Sequence, residues 1–136
     1  MGEAADRLQA KLYSLIERAA KALILEVNRE LRKRGTGTPV DTGHARASWI
    51  PAVGAPTLLE PVGADSSLAA AGAARVMAFK LGQGMLFISN VAPYISRLNA
   101  GHSKQAPALF VERAIAAAIA TIKAKTGVDF GSVTAL

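Results

Sequence analysis

Leu8, Leu12, Leu15, Ile16, Ala19, Leu23, Val27 and Leu31 recur at three- and four-residue steps. A backbone with 3.6 residues per turn gathers such a series onto one face. Residues 3 to about 34 are therefore expected to form one long helix. Arg7, Lys11, Arg18, Lys21, Arg29 and Lys33 fall mostly on its other faces. Glu17 and Lys21 stand at i,i+4 and support the helix, whereas Glu26 and Glu30 oppose it slightly. Arg32, Lys33 and Arg34 suit the negative end of its dipole. At 1.5 Å per residue the rod would be roughly 45 Å long. That is more than a domain of this size needs, so part of the stripe is expected to pack on another subunit.

Gly35 and Gly37 end the helical signal. Pro39 keeps Thr38 extended. Asp41 is placed to cap a short helical stretch, His44 to Ser48, by accepting the N–H of Gly43 or His44. Trp49, the single Trp, is the expected anchor of this corner. Pro51, Gly54, Pro56, Pro61 and Gly63 then punctuate short apolar pieces. These read as two edge strands with turns, because Pro cannot donate to a central ladder. Asp65, Ser66 and Ser67 suit the start of a helix from about 67 to 80. Gly72 weakens that helix, and the Ala-rich stretch reads alternatively as a mobile loop.

A turn at residues 81–84 leads to a core strand over 85–91. Pro93 opens a helix with Tyr94, Ile95 and Leu98 on one face, ended by Gly101. A polar loop runs to Pro107, which starts the last helix. Its stripe is Val111, Ile115, Ala118, Ile119 and Ile122, and Lys123, Lys125 and Gly127 stop it. Residues 127–136 form a tail that reads as an added strand or a frayed end. Trp49, Tyr94, Phe87, Val111 and Ile115 are expected to share one core.

The expected fold is α+β in a single domain over residues 1–136. A long N-terminal helix (1–34) is followed by a small antiparallel sheet of three to four short strands with short helices (35–107). A C-terminal helix (108–126) packs on the sheet. Hydrophobic residues make up 51% of the chain, enough for a core, but aromatics only 5%. Much of the apolar content is Ala, so close, shallow interfaces are expected. With no Cys, disulfides and thiolate metal sites are excluded. The net charge of +6 suits nucleic acid or an acidic partner. No leader is expected, since Glu3 and Asp6 stand where a basic region would, and no apolar run nears the roughly 20 residues of a membrane span. A soluble protein with no membrane partner is the expectation.

Asp41-Thr42-Gly43 matches the active-site triplet of aspartic proteases, in which two carboxylates share a proton. A dimer would supply the pair. The flanks disagree, because Gly-Thr-Gly-Thr-Pro precedes the triplet where a hydrophobic strand should lead in. His44 and His102, the only histidines, make no convincing metal site without several subunits. No Ser pairs credibly with a His and an acid. Gly82-Gln83-Gly84 lacks the Lys-Ser/Thr of a phosphate loop. No catalysis, metal or cofactor is expected. Arg46, Arg97, Lys104 and Arg113 are candidates to touch phosphates, but only Trp49 and Tyr94 lie near for base stacking, so a sequence-reading DNA binder is not expected. A basic nucleic-acid-binding module remains the main alternative class.

Two stretches stand out together: Thr-Pro-Val-Asp-Thr-Gly-His-Ala-Arg-Ala-Ser-Trp at 38–49 and Asn-Val-Ala-Pro-Tyr-Ile-Ser-Arg-Leu-Asn-Ala-Gly-His-Ser-Lys-Gln-Ala-Pro at 90–107. In this order, between a long helix and a final one, the pair resembles the neck or tail-completion family of long-tailed bacteriophages, often labelled minor tail proteins. An acidic residue often stands in that family where this chain has Asn99, an aromatic where it has Ala100, and Gly where it has Ala108. The resemblance implies a non-enzymatic virion component made in the bacterial host cytoplasm. It would form a homo-oligomeric ring between the head-closure or connector proteins and the tail terminator or tube, with DNA passing through non-specifically. Asp41, Thr42, Gly43, Arg46, Trp49, Tyr94, Asn99, Gly101, Ser103, Lys104, Gln105 and Pro107 are the structural and interface candidates. Residues 99 to 107, polar and framed by Gly101 and Pro107, are expected to make contacts between subunits or with an adjoining ring.

Overall fold

The computed structural model describes residues 2–33, 35–38, 43–101 and 108–131. The leucine stripe forms α1, Glu3–Leu31. Beyond it come α2 (His44–Ala47), β1 (Ile50–Val53), α3 (Ser67–Met77), β2 (Leu86–Ser89), α4 (Ile95–Asn99) and α5 (Phe110–Thr126). The fold is α+β, as expected. α1 is its beam, touching α5 most extensively and also β2, α3 and β1.

Glu26 and Glu30 do not work against α1, because each has a cation. Arg29 binds Glu26 at 2.7 Å and Lys33 binds Glu30 at 2.7 Å. The Arg29 hydrogen bond holds the Glu26 carboxyl below its ordinary pKa, outweighing burial. Glu17 does not pair with Lys21. It turns across the fold, accepts the Leu81 N–H at 2.9 Å and lies 3.8 Å from Lys80. The turn before β2 is thereby pinned to the middle of α1.

β1 and β2 pair antiparallel, Ile50 opposite Ser89 and Val53 opposite Leu86. Among the described residues the sheet has these two strands, not three or four. Both are edges, which is why Pro51 is tolerated inside β1. The second edge strand expected before residue 63 is absent, residues 56–60 being irregular. α3 is the helix expected over about 67–80, so the Ala-rich stretch is not a loop. Asp65 accepts the Ser67 N–H at 2.9 Å at its start. Gly72 is the residue that lets α3 lie on β1: a Cβ there would stand 2.2 Å from the Pro51 carbonyl oxygen.

The main core joins Val27 and Leu31 of α1, Trp49, and Phe110, Val111, Ala114 and Ala118 of α5. Leu23, Ile88, Ile95, Leu98 and Ile115 pack around it. The C-terminal helix thus closes over the sheet through the core that Ile88 of β2 joins. Phe110 is fully buried, worth about 1.5–3 kcal/mol relative to exposure. Tyr94 is not in this core. It is 39% exposed, and it precedes α4 in a turn rather than lying on the inward face with Ile95. Phe87 is half-buried and outside the cluster. α5 begins at Phe110, three residues past Pro107. Among the described residues no helix is long and apolar enough to cross a membrane.

Candidate functional site

The two distinctive stretches meet at one corner. α2 is a single turn preceded by Gly43 in the left-handed conformation. Gly43 is its N-cap residue, and a Cβ on Gly43 would stand 3.0 Å from the Ala64 Cβ. Asp41 and Thr42 lie outside the described residues. The described segment before them, 35–38, is turns after a helix, not the strand an acid-protease triplet would leave.

Trp49 is 7% exposed, and its indole N–H donates to Thr38 Oγ1 at 2.8 Å. Its carbonyl accepts from the Arg32 guanidinium at 2.9 Å. The first stretch is therefore fastened at both ends to the C-terminal end of α1, where the Thr38 N–H also donates to the Leu31 carbonyl. Ser48, fully buried, donates from Oγ to the His44 carbonyl.

Asn90 links the second stretch to the first. Its Nδ2 donates to the Ala45 carbonyl at 2.8 Å, while its Oδ1 accepts the Ala92 N–H at 2.9 Å. The Tyr94 ring lies 6.5 Å from the His44 ring, tilted by 48°. Asn99 ties the stretch to the last helix. Its Oδ1 accepts the Val111 N–H and its Nδ2 donates to Glu112, both at 2.9 Å. The Asn99 carbonyl accepts the N–H of Leu109, whose φ of 62° is unusual for a non-glycine. Such a conformation costs on the order of 1–3 kcal/mol, and this bond helps to hold it. Gly101 turns the chain at φ 99°, and a Cβ there would come within 3.1 Å of Ala108 Cβ. Ser103, Lys104, Gln105 and Pro107 lie outside the described residues, as does His102.

His44 carries a role that sequence reasoning missed. Its Nδ1 lies 2.6 Å from the Gly63 carbonyl and its Nε2 2.6 Å from Glu60 Oε1. Both neighbours are acceptors, so the doubly protonated ring satisfies both. The Glu60 carboxylate, then the Gly63 carbonyl, raise its pKa above 6.5. His44 thus fastens the loop after β1 to α2.

Arg46 borders a cavity of about 240 Å³ with Arg32, Gly43, Ala47, Ala64 and Ser66. Burial and the Arg46 charge both make the Arg32 cation costlier, lowering its pKa. Among the described residues neither guanidinium is in an ion pair with a carboxylate. Two such cations around one hollow favour an oxyanion. Of the sequence candidates, then, Gly43, Arg46, Trp49 and Tyr94 share the corner, while Asn99 and Gly101 form a hinge to α5. The corner also contains Thr38, Arg32, His44 and Asn90. Only Asn90 had a local signal: an Asn two residues before an N–H it can accept. No family model, no curated protein and no solved structure matches this chain.

Proposed function

We propose that the chain is a non-enzymatic virion protein that joins a phage head connector to the tail as one subunit of a ring around the DNA channel. One observation carries the reading beyond the sequence likeness. The two stretches that bear the resemblance, 45 residues apart at Asn90 and Ala45, are bonded to each other directly. That bond holds them together as one unit. The candidates in that unit cap, pin and turn the chain, and these roles suit a scaffold. Asn90 and Asn99 are each spent on holding neighbouring backbone, and Trp49 on a buried bond to the Thr38 hydroxyl.

The test is complementation in a phage lacking this chain. Full heads and finished tails should accumulate separately, and the parent chain should restore joining. A Lys104→Glu/Gln105→Ala variant should melt like the parent yet fail to restore joining. Normal joining without the chain would defeat the reading.

A second reading, a basic nucleic-acid-binding module, is favoured by the hollow between Arg32 and Arg46. It requires affinity for free DNA that falls steeply with salt. Arg46→Ala should lower both the affinity and the salt slope.

A further inference from the structure

Arg32, the residue after α1, and Arg46 of α2 line one hollow together with Ser66 at the start of α3. Both guanidinium side chains are half-buried. Arg32 is held by neutral acceptors: its Nε donates to Asn28 Oδ1 at 3.0 Å and its Nη2 to the Trp49 carbonyl at 2.9 Å. A guanidinium has five N–H donors, so Arg32 keeps others in reserve. Among the described residues the Arg46 side chain makes no hydrogen bond and no ion pair. Two like charges at one hollow repel, and burial weakens their hydration. A bound anion relieves both costs.

The neighbourhood supplies little negative charge. Residues 31–59 hold Arg32, Lys33, Arg34 and Arg46 against Asp41 alone. Asp65, next to Ser66, does not line the hollow and accepts the Ser67 N–H. The hollow encloses about 240 Å³, far more than the ~30 Å³ that a water molecule takes up in the liquid. It admits a tetrahedral oxyanion with part of its hydration shell. A carboxylate has two oxygens, which one guanidinium fork occupies, leaving the second cation unmet. A phosphoryl group has oxygens for the Arg46 fork, for the reserve donors of Arg32 and for the Ser66 hydroxyl, which caps no helix N–H. The two bonds that hold Arg32 reduce the freedom it would lose on binding.

We infer that the hollow between Arg32 and Arg46 is a binding site for a phosphoryl oxyanion, carried by inorganic phosphate or by the phosphodiester backbone of DNA. The site stands apart from the head-to-tail joining role, which needs no discrete phosphate pocket. It also goes beyond general affinity of a basic chain for nucleic acid, because it is saturable and confined to one corner of the fold.

The test follows the arginine Nε–H signals of the purified full chain by NMR as inorganic phosphate is added, with ionic strength held constant by chloride. The Arg32 and Arg46 signals should shift and saturate at millimolar phosphate, while that of Arg7 stays in place. Acetate should bind at least about tenfold more weakly, lacking the oxygens for both cations. Arg46→Gln, read on Arg32, should weaken phosphate binding at least about tenfold, the loss of charge-assisted hydrogen bonds. Arg46→Lys keeps the charge without the fork and should fall between. Blue-shifted Trp49 emission checks that each variant folds like the parent. A short mixed-sequence duplex separates the two sources. Duplex affinity that falls with phosphate affinity in Arg46→Gln makes the DNA backbone the ligand, and unchanged duplex affinity leaves inorganic phosphate. Parent signals that do not saturate, or that acetate moves as readily, overturn the inference. So does phosphate binding that appears only in Asp41→Asn, because the chain's own carboxylate would then fill the hollow.

Discussion

The indole N–H of Trp49 donates to Thr38 Oγ1 at 2.8 Å with both side chains buried. A buried donor stripped of its acceptor loses far more than the net value of the bond. Thr38→Val should therefore destabilise by about 2 kcal/mol, read as a lowered melting temperature. Adding Trp49→Phe should cost less than the sum of the two single changes, because the pair is coupled. Additive losses would mean that the bond carries no coupling.

Gly72→Ala should reverse the usual helix rule. Ala ordinarily gains about 1 kcal/mol over Gly inside a helix. Here its Cβ meets the Pro51 carbonyl oxygen at 2.2 Å and Ile50 Cγ2 at 3.2 Å. Separating α3 from β1 should outweigh the gain and leave a net loss of about 1–3 kcal/mol, measured as a lower urea midpoint.

The His44 latch makes stability depend on pH. The folded pKa is raised above 6.5 by Glu60 first and the Gly63 carbonyl second. A raised folded pKa gives a contribution that is complete below 6.5 and is lost as pH rises through the folded value. The melting temperature of the parent should fall across that window. His44→Ala should be less stable below it and lack this step.

Asn99→Ala should cost about 1 kcal/mol, the usual loss of a side chain that accepts at a helix start. Asn99→Asp should also destabilise, since a carboxylate keeps the bond to Val111 but faces Glu112, now 2.9 Å from the amide nitrogen. Glu112→Gln in the same chain should restore most of the loss. If the double variant melts no higher than Asn99→Asp, Glu112 is not the reason.

α1, β2 and α5 were legible because each carries a dense apolar period or a sharp stop. α3 was only half legible. Gly72 reads locally as a helix breaker, and its use depends on Pro51, 21 positions away. Tyr94 was misplaced because size and position near an element boundary do not reveal on which side of a turn a ring falls. Gly43, Trp49, Asn99 and Gly101 could be singled out from local chemistry. Their partners Ala64, Thr38, Glu112 and Ala108 required the fold. His44 was weighed as a metal ligand and set aside, but its two acceptors come from a loop whose path no local pattern fixes. Glu17 likewise found its partners 63 and 64 positions on, not one helical turn away.

The broadest contact in the molecule joins α1, near the start of the chain, to α5, whose buried face runs from Phe110 to Ile122. On the ribosome, then, α1 is made long before its main partner. Its leucine stripe stays without that cover until Ile122 has emerged. Such distant pairing slows folding and prolongs exposure of apolar surface. During synthesis the part of the stripe that α5 later covers, Leu23 to Leu31, is a surface for a chaperone, and release from it should coincide with the arrival of α5.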